Sequence, residues 1–141
     1  MKLTLVCVLW IASTVLGLSF QGGSTSVTTP RRGGNPEAAK IANPVPSTAE
    51  SIAAGRQAFA RLCVRCHGPS GKGDGGGAGA GGQPADLTDE MWDFGASDGE
   101  IFSVIRDGTS ADMEAYAERT SQTEIWQLIN YIRSIGPGKR P

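Results

Sequence analysis

Residues Cys63-Val64-Arg65-Cys66-His67 place two thiols and an imidazole within little more than one helical turn. Thiols at that spacing can each add to one vinyl group of a porphyrin, and the adjacent imidazole then lies beneath the metal. The spacing is the attachment pattern of a covalently bound c-type haem. Two other chemistries use Cys-x-x-Cys. A structural zinc site takes four Cys or His ligands, whereas the only thiol outside the motif is Cys7 and His67 is the only histidine. A thioredoxin-type dithiol needs a βαβ context, and a glycine-rich stretch without strand alternation follows His67. The motif therefore predicts one haem c, held through Cys63 and Cys66, with His67 as an axial ligand of its iron.

One histidine excludes bis-histidine ligation within the chain. Thioether sulfur is the usual soft partner in electron-carrying centres and raises the reduction potential. With the initiator set aside, Met91 and Met113 remain. Met113 is favoured, because it stands in a non-helical stretch between Gly108 and the last helix, where a loop can lay its side chain over the far face. Met91 sits beside Trp92 and reads as a packing residue. Trp92, Arg106 and Trp126 are candidates to meet the porphyrin edge or its propionates, although Trp126 at helical spacing fits ordinary core better. Arg56, Arg61 and Arg65 near the motif form either a partner-docking rim or a solvated helix face.

The elements that position these residues are helical. Ser47-Thr48-Ala49-Glu50 reads as a capping box ahead of Ile52, Phe59 and Leu62, which recur on one helical face and lead into Cys63. Ser97-Asp98-Gly99-Glu100 opens a second helix, which Gly108 stops, and Ser121-Gln122-Thr123-Glu124 opens a third. The third carries Ile125, Leu128, Ile129, Ile132 and Ile135 and ends at Gly136-Pro137. Thr88 to Trp92 is expected to form a short helical turn. Gly71-Lys72-Gly73 lacks the spacing of a phosphate loop. The glycines from Gly68 to Gly82 are expected to let backbone approach a flat cofactor, with a plain surface loop as the alternative for Gly75 to Gly82.

At 141 residues and net charge −1 the chain fits one small domain with leading segments, and nothing in it recommends nucleic acid as a partner. Lys2 followed by the apolar run Leu3 to Phe20 reads as a secretory signal over residues 1–19, or as an N-terminal membrane anchor. Arg31-Arg32 follows the apolar region instead of preceding it, so it is linker charge and not a twin-arginine signal. Residues 20–46, rich in Gly, Ser, Thr and Pro, are expected to be a flexible linker, and residues 47–141 the folded domain. With few aromatic residues, a buried porphyrin would supply the centre of the core.

Together these parts resemble a small single-haem class I cytochrome c over residues 47 to about 136. The first helix of that family carries a Gly-x-x-x-aromatic pair, matched by Gly55 and Phe59, and the last a Leu-x-x-Tyr pair, matched by Leu128 and Tyr131. A glycine, a methionine loop and a following aromatic are matched by Gly108, Met113 and Tyr116. The resemblance also implies a proline whose carbonyl receives the imidazole N–H, with Pro84 as the counterpart and Pro69 nearer in sequence. The usual Met-Pro is Met113-Glu114 here. The implied fold is all-α, three to five short helices around one covalent haem. The implied function is a periplasmic or exported electron carrier, monomeric and not an enzyme, exchanging electrons with redox protein partners, with a membrane tether through its N-terminus as the option that an uncleaved anchor would give. The alternatives are a haem-based sensor or enzyme subunit with a labile distal ligand, or a fixed electron-transfer subunit of a membrane oxidase or dehydrogenase.

Overall fold

The computed structural model describes residues 29–77 and 82–137. The proposed signal or anchor and Cys7 lie outside the described residues. Within them the chain forms five helices: α1 (Pro36–Ala39), α2 (Ala49–Leu62), α3 (Val64–His67), α4 (Asp98–Asp107) and α5 (Gln122–Ile135). No strand occurs among the described residues.

The caps explain where the helices start. Ser97 Oγ accepts the Glu100 N–H at 3.2 Å, and the Glu100 carboxylate accepts the Ser97 N–H at 2.9 Å, so two otherwise orphaned donors are satisfied at the head of α4. Ser121 caps α5 in the same way through the Glu124 N–H. The reciprocal half is not made there, because the Glu124 carboxylate turns to Arg61 and Thr120. The first cap falls one residue later than its sequence suggests. Thr48, not Ser47, accepts from the N3 residue, which is Ser51, and the Ser51 hydroxyl accepts the Thr48 N–H in return. Thr88 to Trp92 forms turns instead of a helical turn, as Asp86 and Asp89 side chains capture the Thr88 and Met91 N–H groups.

Helices α2 and α5 cross closely, with Phe59 and Tyr131 rings 5.2 Å apart at the contact. Phe59, Leu128 and Ile129 are at most 1% exposed there, each contributing about 2–3 kcal/mol by leaving water. Helix α4 packs on α5 through Phe102 stacked on Trp126 at 4.1 Å. Trp126 is thus core.

The stretch expected to be a flexible linker is, from residue 33 onward, part of the fold. Gly33 N–H donates to the Asp93 carbonyl at 2.8 Å and Asn35 N–H to the Glu100 carboxylate at 2.8 Å. The Asn35 side chain caps α1, whose Ala38 is fully buried. Further on, Asn43 donates to the Trp126 carbonyl and to Asn130 Oδ1, and Asn130 donates to Val45 and Pro46 carbonyls. Composition misleads because this segment docks through polar anchors and one alanine, not through the large apolar side chains whose scarcity suggests disorder.

Candidate functional site

The Cys63–His67 motif is wound into a single turn at the junction of α2 and α3. The Cys63 carbonyl accepts the N–H groups of both Cys66 (3.1 Å) and His67 (2.9 Å). Gly68, at φ +75°, then stops the turn. Both cysteines are free thiols. Burial, and secondarily the Cys66 sulfur, pushes the Cys63 thiol up to about 12. Cys63 is therefore a neutral thiol at ordinary pH, the opposite of the lowered value that makes a reactive redox dithiol.

His67 Nδ1 lies 3.0 Å from the Ala85 carbonyl oxygen. A carbonyl only accepts, so the proton sits on Nδ1 and Nε2 is left as the unprotonated nitrogen. Burial holds the imidazole below its usual value, against the opposing pull of the Ala85 bond. Neutral imidazole with its second nitrogen tied to a carbonyl is the form suited to metal ligation.

The acceptor is Ala85 and not Pro84. The Pro84 carbonyl faces Gly73, where a side chain would overlap it. Glycine at φ +75° is what allows that approach, and Gly73 N–H in turn donates to the His67 carbonyl at 2.8 Å. The glycine loop thus packs on polypeptide: Gly75 and Gly77 lie against Val64 and Arg65, and of the described members only Gly82 lines the cavity below. For Gly73, Gly75 and Gly77 the expected approach to a cofactor is corrected accordingly.

These groups surround a cavity of about 430 Å³, open on one side, within the usual size of a cofactor site. Cys63, Cys66 and His67 line it with Met113 and Tyr116, and α4 and α5 give apolar walls through Ile105, Leu128 and Ile132. Met113 is half-buried against the core. Gly108, at φ +71°, ends α4, and Thr109 N–H donates to the Met113 carbonyl at 2.9 Å. The Tyr116 hydroxyl then ties the loop to the end of α2 by donating to the Leu62 carbonyl at 3.1 Å. Burial chiefly, with smaller contributions from the neighbouring Cys63 and Glu114, raises the Tyr116 phenol above its ordinary value. The loop is closed without the family's proline, and Glu114 pairs outward with Arg119 at 2.7 Å.

The other sequence candidates divide. Trp92 lines the cavity, with the Arg133 guanidinium 5.9 Å from its ring. Met91 is at the mouth and 78% exposed. Arg106 is not among the lining residues: it lies over the Phe102 ring at 5.5 Å and pairs with Asp107 at 2.6 Å. Arg61 pairs with Glu124. Sequence reasoning missed the Ala85 carbonyl, which no residue type signals, and Arg32, which lines the cavity from the supposed linker.

The site fits a haem c on its own chemistry. Two thiols and an imidazole with a free Nε2 meet at one wall of an apolar cavity, a thioether lies on the same lining, and no cluster of three His, Cys, Asp or Glu offers another metal a site among the described residues.

Comparison with known proteins points the same way. Residues 50–132 match the family model described as cytochrome c oxidase, cbb3-type, subunit III. The cbb3-type cytochrome c oxidase subunit FixP of Bradyrhizobium sp. is 36% identical over 87 residues, which cover 62% of this chain and 28% of that protein. Subunit CcoP of Rhodobacter capsulatus is 31% identical over 101 residues, covering 67% and 32%. The chain thus spans about a third or less of these relatives. Among solved structures, a chain of the Kuenenia stuttgartiensis reducing HAO-like protein complex superimposes with a TM-score of 0.61 at 28% identity, covering 70% of this chain and 48% of that one. Cytochrome cL of Methylophaga aminisulfidivorans gives a TM-score of 0.53 at 23% identity, covering 72% and 61%, a likeness of fold.

Proposed function

The chain belongs to the family of cbb3-type cytochrome c oxidase subunit III, as a cytochrome c domain, and from that membership we propose that it is a periplasmic one-electron carrier with His67 and Met113 as axial ligands of a covalent haem c. When bound, the haem supplies a reversible ferrous/ferric couple. The chain's own residues do the rest. Cys63 and Cys66 hold the group at the α2–α3 junction. His67 is aimed and kept neutral by Ala85. The apolar faces of α4 and α5 exclude water from one side of the cavity, which favours a small change in solvation between redox states. The pinned loop from Gly108 to Tyr116 supports a distal methionine retained in both states over a labile site.

The observation that carries this reading is the convergence on one cavity of both thiols, a His67 whose Nδ1 is already committed, and Met113. The test is the full chain made in cells competent for cytochrome maturation. An intact mass increased by one haem and a low-spin reduced spectrum with a sulfur-to-iron band are expected. A colourless product of unmodified mass refutes the reading.

The relatives favour a second reading, a fixed subunit that delivers electrons within a respiratory oxidase. Copurification of the tagged chain with membrane oxidase subunits supports that assembly, whereas a freely exchanging monomer supports the mobile carrier.

A further inference from the structure

We propose that Arg32 positions the haem carboxylates and tunes the charge of the redox centre from the rim of the cavity, an inference that rests on the haem c reading above. Among the described residues lining the cavity, Arg32 is the only lysine or arginine, while Asp86, Asp89, Asp93 and Asp112 all line it. A haem adds its own propionates to that acidic surround. Each like charge makes the next harder to hold, so the single cation has the largest influence on how the carboxylates sit. Guanidinium is also the side chain best shaped to grip a carboxylate with two parallel N–H groups.

Arg32 stands at a built position and not on a loose tail. The residue after it donates from Gly33 N–H to the Asp93 carbonyl at 2.8 Å, and Gly34 N–H closes a turn on the Arg31 carbonyl at 2.9 Å. Asn35, 6% exposed, is bound to the Glu100 carboxylate. A Cβ on Gly34 would stand 2.7 Å from Glu100 Oε1, so the segment passes that point only as glycine.

The Arg32 side chain itself is less committed. It pairs with Asp93 at 3.0 Å and lies 5.6 Å from the centre of the Phe94 ring, but both charged side chains are largely exposed, at 77% and 68%. Exposed pairs of this kind contribute little, so the guanidinium can exchange Asp93 for a carboxylate within the cavity at low cost. Arg32 lies outside residues 50–132, the part that matches the family model. The contribution comes from the segment preceding that match.

The sign of the effect follows from Coulomb's law. A cation at the rim disfavours the ferric state, which carries the additional positive charge, and Asp93 partly cancels it. Spectroelectrochemical titration of the haem-loaded full chain at low ionic strength is the test. Arg32→Gln is expected to lower the midpoint potential and Asp93→Asn to raise it, with Arg32→Lys close to the unaltered chain. A merely structural ion pair is broken by both Arg32→Gln and Asp93→Asn, and would move the potential in one direction. Shifts of the same sign, or no shift in Arg32→Gln, overturn the proposal while leaving the haem reading intact. A chain that carries no haem overturns that reading first.

Discussion

Gly55 and Gln127 meet backbone to backbone where α2 crosses α5: a Cβ at position 55 would overlap the Gln127 carbonyl oxygen and stand 2.6 Å from its carbon. Two opposed effects then compete in Gly55→Ala. Alanine gains about 1 kcal/mol of helix propensity, but forcing the helices apart costs about 3 kcal/mol. The variant should lose about 2 kcal/mol net, read as a lower denaturation midpoint, and yield less haem-loaded protein. A variant as stable as the parent would show that the crossing is not this tight.

Gly73 bears on His67 through the path of Pro84 and Ala85. In Gly73→Ala the new methyl would overlap the Pro84 carbonyl and lie 3.3 Å from that of Ala85, on a residue at φ +75°. The backbone conformation alone costs about 1–2 kcal/mol. Displacing Ala85 weakens its bond with His67; with His67 as the proposed ligand, the imidazole becomes a poorer donor to iron and the reduction potential should rise. Potentiometric titration of the two proteins checks the direction.

The two methionines are distinguished by their setting. Met113→Ala should abolish the sulfur-to-iron band and cost roughly 2 kcal/mol of stability for its lost packing. Met91→Ala, at a site 78% exposed, should leave both unchanged. Absorption spectra of the oxidised proteins decide between them, and a band that survives Met113→Ala removes Met113 as the ligand.

Glu100 makes the attachment of the N-terminal segment sensitive to acid. Burial pushes its carboxyl up, but bonds from Ser97 and Asn35 outweigh this and hold it below 4.5, its ordinary value. A carboxylate lowered on folding stabilises fully above that value, and the contribution is lost as the pH falls through the folded value. Hydrogen exchange should therefore show residues 33–41 opening at acid pH before α2 and α5. Glu100→Gln should open the same segment at neutral pH, with a loss of roughly 2 kcal/mol from the charged hydrogen bonds. Exchange that is uniform across the chain would contradict the assignment.

Features that depend on near neighbours are legible in the chain alone. Cys63, Cys66 and His67 stand out by their spacing and meet at one cavity wall, Ser97 and Ser121 mark the heads of α4 and α5, and the period of Ile125, Leu128, Ile129 and Ile132 defines the buried face of α5. Gly55 and Phe59 were legible through the family resemblance, and the crossing explains why glycine is needed. The remainder depends on folding, because it involves groups that residue type does not distinguish or that lie far apart in sequence. Every residue has a carbonyl, so only the path of the chain past Gly73 selects Ala85 over Pro84. Asn35 is polar and its neighbours are small, so its docking depends on Glu100, 65 residues away. Arg106 and Arg32 carry the same group, and only the fold turns one onto Phe102 and brings the other to the cavity. Local patterns are enforced by backbone sterics and hydrogen bonds within a turn. Long-range partners become defined only when packed helices leave each group a single direction in which to be satisfied.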